Sequence, residues 1–188
     1  MFIRSERLFL RPGWPEDWEE ILDRIDDEAV VRNLARAPWP YTAADARTFA
    51  RQPQDARLPH FVVTLPTSAH PAEIIGAVGL QRGEAGAELG YWIARDYWNR
   101  GYATEATRAV LGLARTLGHR RIGASHFLDN PASGRVLRKA GFRPTGEVRP
   151  RPSLARGASV PAVQHAIDLD GPCNCDGSDD GVPAMRAA

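Results

Sequence analysis

Residues 87–106 read AELGYWIARDYWNRGYATEA, and the fold is decided by how this stretch is read. Ala87–Ala94 alternates like a strand. Arg95–Asp96 turns the chain, and Trp98–Gly101 opens a long helical pattern, expected over Trp98–Leu117. Ala106, Ala109, Val110, Leu113, Ala114 and Leu117 fall on one apolar stripe, and Gly118 is placed to end the helix. Residues 120–127, RRIGASHF, form a second strand. Residues 128–142, LDNPASGRVLRKAGF, form a second helix, with Asn130 as N-cap, Pro131 at the first position and Gly141 as the stop. Strand, glycine-bearing loop, helix, strand and helix is a layout that sets a phosphorylated cofactor against a helix N-terminus.

Outward from this centre, Phe2–Arg11 reads as one strand closed by Pro12 and Pro15. Trp18, Ile21, Leu22 and Ile25 recur at helical spacing after Glu16–Asp17, and Val30–Leu34 reads as a short second helix. Pro38–Tyr41 is a rigid loop, and Thr42 caps a helix over Ala43–Arg51 with Asp45 completing a capping box. His60–Leu65 and Ile74–Leu80 are strands; Gly76 and Gly79 in the second mark a bulge or a close approach. Turns fall at Pro66–Pro71 and Gly83–Gly86. Phe142–Val148 is extended, Arg149–Pro161 reads as a basic loop, and Val163–Leu169 is the last strand. The expected domain is residues 1–170. Residues 171–188, GPCNCDGSDDGVPAMRAA, have almost nothing to bury and read as a disordered tail.

Composition excludes several classes. The chain of 188 residues has 24 basic and 23 acidic side chains, a net charge of +1, which argues against a bulk nucleic-acid surface. Cys173 and Cys175 are separated by one residue, too close for an ordinary metal pair, and give no disulfide framework. The opening MFIRSERLFLRPGW breaks its apolar positions with Arg and Glu, so no signal-peptide core is expected. No apolar run can span a membrane, and a cytoplasmic protein is the default. There is neither a G-x-G-x-x-G nor a G-x-x-x-x-G-K-[ST].

Three segments carry a resemblance: ERLFLRP at 6–12, ELGYWIARDYWNRGYATEA at 88–106 and HFLDNPASGRVLRKAGF at 126–142. In this order they resemble the GNAT family of N-acetyltransferases, and within it the RimJ/RimL-like branch. The resemblance spans roughly residues 3–170. It implies an α/β fold: a twisted mixed sheet of six or seven strands with helices on both faces. Two central parallel strands, here Ala87–Ala94 and Arg121–Phe127, would splay to admit the pantetheine arm of acetyl-CoA. No metal is implied. The acceptor would be an amine on a peptide N-terminus or a small molecule, and the protein a monomer or homodimer. The branch points to the α-amine of a protein.

The resemblance also implies site residues. Trp98, Asn99, Arg100, Gly101, Tyr102 and Ala103 match the diphosphate-binding motif, with Thr104 adding a hydroxyl. Trp98 departs from the usual Gln or Arg. A backbone N–H near Trp92 or Ile93 would serve the carbonyl oxygen. Asn130 would face the cofactor arm as well as cap its helix. The position where many relatives carry an acidic Tyr holds Leu137, which cannot donate, and Ser133 one turn earlier is the implied replacement; a small packing residue is the other reading. Arg135, Arg138 and Lys139 are surface charges or phosphate contacts.

The remaining candidates come from the residues themselves. Glu88 shares a strand face with Gly90 and Trp92, where an apolar wall would suit a general base; a solvated strand-edge carboxylate is the alternative. His126 titrates in a useful range but stands equally as a structural histidine. Tyr91 and Tyr41 are weaker acid or substrate-shaping candidates. Trp14, Trp39, Tyr41 and the Ser153–Pro161 loop are expected around the acceptor. Binding without catalysis, as an acyl-CoA sensor, is the competing class.

Overall fold

The computed structural model describes residues 1–67, 72–84 and 86–169. The expected tail with Cys173 and Cys175 lies outside the described residues, as do parts of the turns expected at 66–71 and 83–86. The described residues form an 8-stranded mixed sheet in the order β1-β2-β3-β4-β5-β6-β8-β7. The strands are β1 Ile3–Arg4, β2 Phe9–Arg11, β3 His60–Leu65, β4 Glu73–Gly83, β5 Gly86–Ile93, β6 Arg121–Phe127, β7 Arg143–Ser153 and β8 Ala158–Asp168. Every neighbouring pair is antiparallel except β5 and β6, which run parallel.

Helices cover both faces. α1 Trp18–Ile25, α2 Glu28–Val31 and α3 Ala43–Ala50 lie on one side, and α4 Tyr102–Thr116 and α5 Pro131–Lys139 on the other. Alternation along β5 splits its side chains between two cores. Leu89 joins Phe61, Ile75, Val110, Ile122 and Leu137 beneath α4 and α5. Trp92 joins Val62, Ile74, Ile21 and Val31 beneath α1–α3. Each fully buried Leu, Ile, Val or Phe contributes about 1.5–3 kcal/mol of transfer free energy.

Four expectations change. The single first strand is a hairpin, because Ser5 N–H bonds to Leu8 O at 3.0 Å and turns the chain between β1 and β2. The short helix starts earlier, at Glu28, because Asp27 caps it by accepting from Ala29 N–H at 2.7 Å. The long helix begins at Tyr102 instead of Trp98, since Asn99 at φ 61° and Gly101 at φ 83° both leave the right-handed helical region. The basic loop at 149–161 is strand for most of its length. Pro150 and Pro152 conceal this, but β7 is an edge strand paired only with β8, where proline is tolerated.

Other local expectations match. Thr42 and Asp45 form the capping box of α3. Asn130 caps α5 with Pro131 at its first position. Gly76 marks a close approach: a Cβ there would lie 2.2 Å from Trp92 O.

Candidate functional site at the parted strands

β5 and β6 pair at two positions, Glu88↔Gly123 and Leu89↔Ala124, and then diverge. Backbone direction in the gap follows from alternation. Ala94 N–H donates to Ile75 O at 2.8 Å, so the N–H groups of Trp92 and Gly90 also face β4. Those of Tyr91 and Ile93 therefore face the opening. Of the two donors expected from sequence, Ile93 is the one turned to the gap. Its carbonyl is held by the Trp98 indole, whose Nε1 donates to Ile93 O at 2.7 Å.

A cleft of about 320 Å³ lies on the α4/α5 side of the opening. Its wall includes Trp92, Ile93, Trp98, Asn99, Gly101, Tyr102, Ala103, Thr104, Asn130 and Ser133, so these sequence candidates are brought together. Arg135 and Lys139 join them from α5. Arg100 is not part of the wall; its guanidinium lies 5.7 Å from the Tyr97 ring centre. The first turn of α4 presents backbone N–H groups that no preceding turn can satisfy, an arrangement suited to phosphate.

A buttress holds this turn. Glu105 accepts from Ser5 Oγ at 2.8 Å, from Arg7 N–H at 2.7 Å and from Arg7 Nε at 2.8 Å. Arg7 Nη1 also donates to Arg100 O at 3.0 Å. Burial alone would raise the Glu105 carboxyl, but the hydrogen bonds from Arg7 and Ser5 and the Arg7 charge bring it below the usual range.

A second cleft, of about 590 Å³, opens from the same gap. It reaches from His60 on β3 across Gln81 on β4 and Glu88 on β5 to Arg151 on β7, and includes Tyr41, Ser125 and His126. The two clefts share Asn33, Leu34, Tyr91, Trp92, Asn130 and Ser133.

At this junction Tyr91 and Ser133 meet. The phenol oxygen lies 2.7 Å from Ser133 Oγ and 3.3 Å from Ser133 O. Burial pushes Tyr91 up to about 12, with the Ser133 bond pulling the other way, so the phenol keeps its proton near neutrality. Asn130 Oδ1 accepts Ser133 N–H at 3.2 Å and fixes the turn that carries the hydroxyl. Leu137 is fully buried in the core.

Glu88 does not stand against an apolar wall alone. Arg151 holds both of its oxygens, Nη1 on Oε1 and Nη2 on Oε2, the latter at 3.0 Å. Ser125 Oγ adds a bond to Oε1 at 3.3 Å, and Gln81 Nε2 one to Oε2 at 3.3 Å. His126 lies on the opposite face of β6 from Ser125. Its pKa is lowered by burial first and then by the nearby His165 and Arg138 charges. The rings of His126 and His165 are 5.0 Å apart, and His126 Nδ1 is buried without a hydrogen-bond partner among the described residues.

Tyr41 is buried in the cleft wall, and burial followed by the Asp45 charge pushes it up to about 12. Trp39 and Trp14 are exposed and line neither cleft; Trp14 instead covers the Arg11 guanidinium at 3.8 Å. The turn of the β7–β8 hairpin is fastened to the α2 side. Leu154 N–H bonds to Ala35 O at 3.1 Å, and Arg156 Nε to Arg32 O at 2.8 Å. Arg156 also grips Asp129 at 2.8 and 3.0 Å, which holds the Asp129 carboxyl below its usual range.

Sequence reasoning missed Arg151, Ser125, Gln81 and the Arg7–Glu105 buttress. The one available signal was RPRPS at 149–153, whose alternation of Arg and Pro fits an edge strand with its arginines on one face. Among the described residues no group of His, Cys, Asp and Glu could hold a metal ion, and no helix is long and apolar enough to cross a membrane.

Comparison with known proteins follows this geometry. Residues 7–143 match the Acetyltransferase (GNAT) domain. The uncharacterized N-acetyltransferase YoaA of Bacillus subtilis (strain 168) is 41% identical over 154 residues, covering 78% of this chain and 85% of the relative. Among solved structures, an acetyltransferase (GNAT family) from Bacillus anthracis superposes with a TM-score of 0.76 at 27% identity, covering 91% of this chain and 100% of the other. RimL, a ribosomal L7/L12 alpha-N-protein acetyltransferase solved with coenzyme A, has a TM-score of 0.71 at 18% identity, covering 90% of this chain and 99% of its own. At that identity the likeness is one of fold, and it does not single out the RimL branch.

Proposed function

Because the chain belongs to the GNAT acetyltransferase family, we propose that it acetylates the α-amine of a polypeptide N-terminus, as the RimJ/RimL-like branch does. At the family level it is an acetyl-CoA-dependent transferase acting on an amine. The observation that carries the reading is the meeting of two clefts at the Tyr91–Ser133 hydroxyl pair.

The residues of the smaller cleft fit coenzyme A. The first turn of α4 offers its N–H groups to the diphosphate, with Gly101 in the left-handed region giving close backbone approach. The outward N–H of Tyr91 and Ile93 suits an extended amide-bearing arm laid along β5. When bound, acetyl-CoA supplies an activated thioester carbonyl. Ile93 N–H is the donor for negative charge on that oxygen. Glu88 accepts the proton of the acceptor amine, with His126 as the neutral alternative. Ser133 Oγ holds a proton on the donor side. Tyr91, kept protonated by burial, donates to Ser133 Oγ and leaves the serine proton free for a thiolate. The pair takes the place of the tyrosine absent at Leu137.

The larger cleft spans five strands, room for several residues of a chain end. The test is a thiol-release assay with acetyl-CoA against peptide N-termini and small amines. Turnover on peptides supports the reading. Turnover on small amines alone moves it to metabolite or drug acetylation. Tight acetyl-CoA binding with no release on any acceptor makes the protein a binding module.

A further inference from the structure

Glu88 presents a conflict. Its two oxygens carry four hydrogen bonds, two from one guanidinium, and these fill the lone-pair positions through which the carboxylate would meet an acceptor. Arg151 reaches it from the far edge of the sheet, with β8 and β6 lying between β7 and β5. The hairpin does not need this bridge to stay closed. Its turn is already fastened through Arg156–Asp129 and Leu154–Ala35, and β7 pairs with β8 without a break from Val148 to Ser153. The Glu88–Arg151 pair also faces the larger cleft and is not walled off in the core, with side-chain exposures of 14% and 24%.

A carboxylate and a guanidinium joined across a cleft wall form the complement of a zwitterion. We propose that the acceptor carries a carboxylate within its first two residues, and that this group exchanges with Glu88 on Arg151. The exchange leaves the acceptor ammonium facing a released Glu88. The ammonium proton then passes to the Glu88 carboxylate, and the nitrogen lone pair is freed for attack. Glu88 is thus a base armed by the substrate it serves, and amines without the anionic group meet it still locked. This inference rests on the acetyltransferase reading and names the acceptor within it. A polypeptide beginning with Asp or Glu and a free acidic amino acid share the chemistry.

The experiment compares kcat/KM, by thiol release, for peptides differing by Asp against Asn or Glu against Gln at the first or second position. The α-amides of aspartate and glutamate are run against those of asparagine and glutamine, so that the side chain carries the only carboxylate. The expected acid-to-amide ratio is about tenfold or more, as for exchange at one bidentate charged pair. Arg151→Gln should bring it near one, and Arg151→Lys, which keeps the charge without the fork, should give an intermediate value. A role confined to holding the hairpin would lower both acceptors together and leave the ratio unchanged in the variant, which overturns the proposal. So does a ratio near one in the native enzyme, although peptide turnover would then keep the polypeptide reading intact. An acid preference among the amino acid amides with no peptide turnover keeps the exchange and rejects the polypeptide. If no acceptor turns over, the binding of the same pairs is measured by calorimetry. Tighter binding of the acidic member, lost in Arg151→Gln, supports the exchange, and equal binding overturns it.

Discussion

The two clefts are built in different ways. The smaller cleft, the proposed donor side, is lined largely by one run of chain, Tyr91–Thr104, which brings the outward N–H groups of Tyr91 and Ile93 and the first turn of α4. The acceptor side is assembled from side chains far apart in sequence. Arg151 meets Glu88 across 63 residues and Ser125 across 26, and Ser125 meets Glu88 across 37. Backbone donors serve any sequence with the right turn, so the donor side fits a shared cofactor. Side chains can change singly, so the acceptor side is where members of one fold can come to differ.

The largest expected effect tests the seam between the clefts. Ser133→Ala should lower kcat by about 100-fold, the usual scale for a positioned proton donor. A kcat near the native value would make Ser133 a packing residue and return the two clefts to independent surfaces. Next, Gly101→Val should act on the donor side alone. Its φ of 83° is strained for a β-branched residue, at about 1–2 kcal/mol or more. Calorimetry should show acetyl-CoA binding weakened about tenfold, and an equal loss in acceptor KM would deny the separation.

A third test concerns the base. His126 is held below its ordinary value of 6.5 by burial, then by His165 and Arg138, so it is the neutral form at pH 7. If it takes the amine proton, the acid limb of kcat/KM falls at a pH below 6.5 and disappears in His126→Gln. An unchanged limb leaves the role with Glu88. The smallest effect is on stability. Asp129 is depressed in the folded state, chiefly by the Arg156 hydrogen bond, so its contribution is complete above the ordinary carboxylate value of 3.8. It is lost as pH falls through the lower folded value. Melting followed down to acid pH should show a modest extra loss that Asp129→Asn lacks.

The same contrast explains what the sequence disclosed. Asn130–Pro131 and Thr42–Asp45 were legible because each follows from residues within one turn of one another, whereas Gly101 and the parting of Ala87–Ala94 from Arg121–Phe127 came only through the resemblance to a known family. The helix start was misplaced by four residues because Asn99 in the left-handed region looks, in sequence, like any helix-compatible residue. The β7–β8 hairpin was hidden by its own prolines, whose tolerance depends on an edge position that only the sheet order reveals. Arg151 was lost with it. Trp39 and Trp14 were expected at the acceptor because aromatics often line such sites, but both point elsewhere.

The two-pair seam between β5 and β6 has a mechanical meaning. A sheet ordinarily transmits force sideways through an unbroken ladder, but here β1–β5 and β6–β8 join through Glu88↔Gly123 and Leu89↔Ala124. An extended ligand arm in the gap becomes the missing rung. Coenzyme binding should then slow amide exchange on both flanks of the opening, at Tyr91 and Ile93 and on Ser125–Phe127, so that the substrate stiffens the scaffold that acts on it.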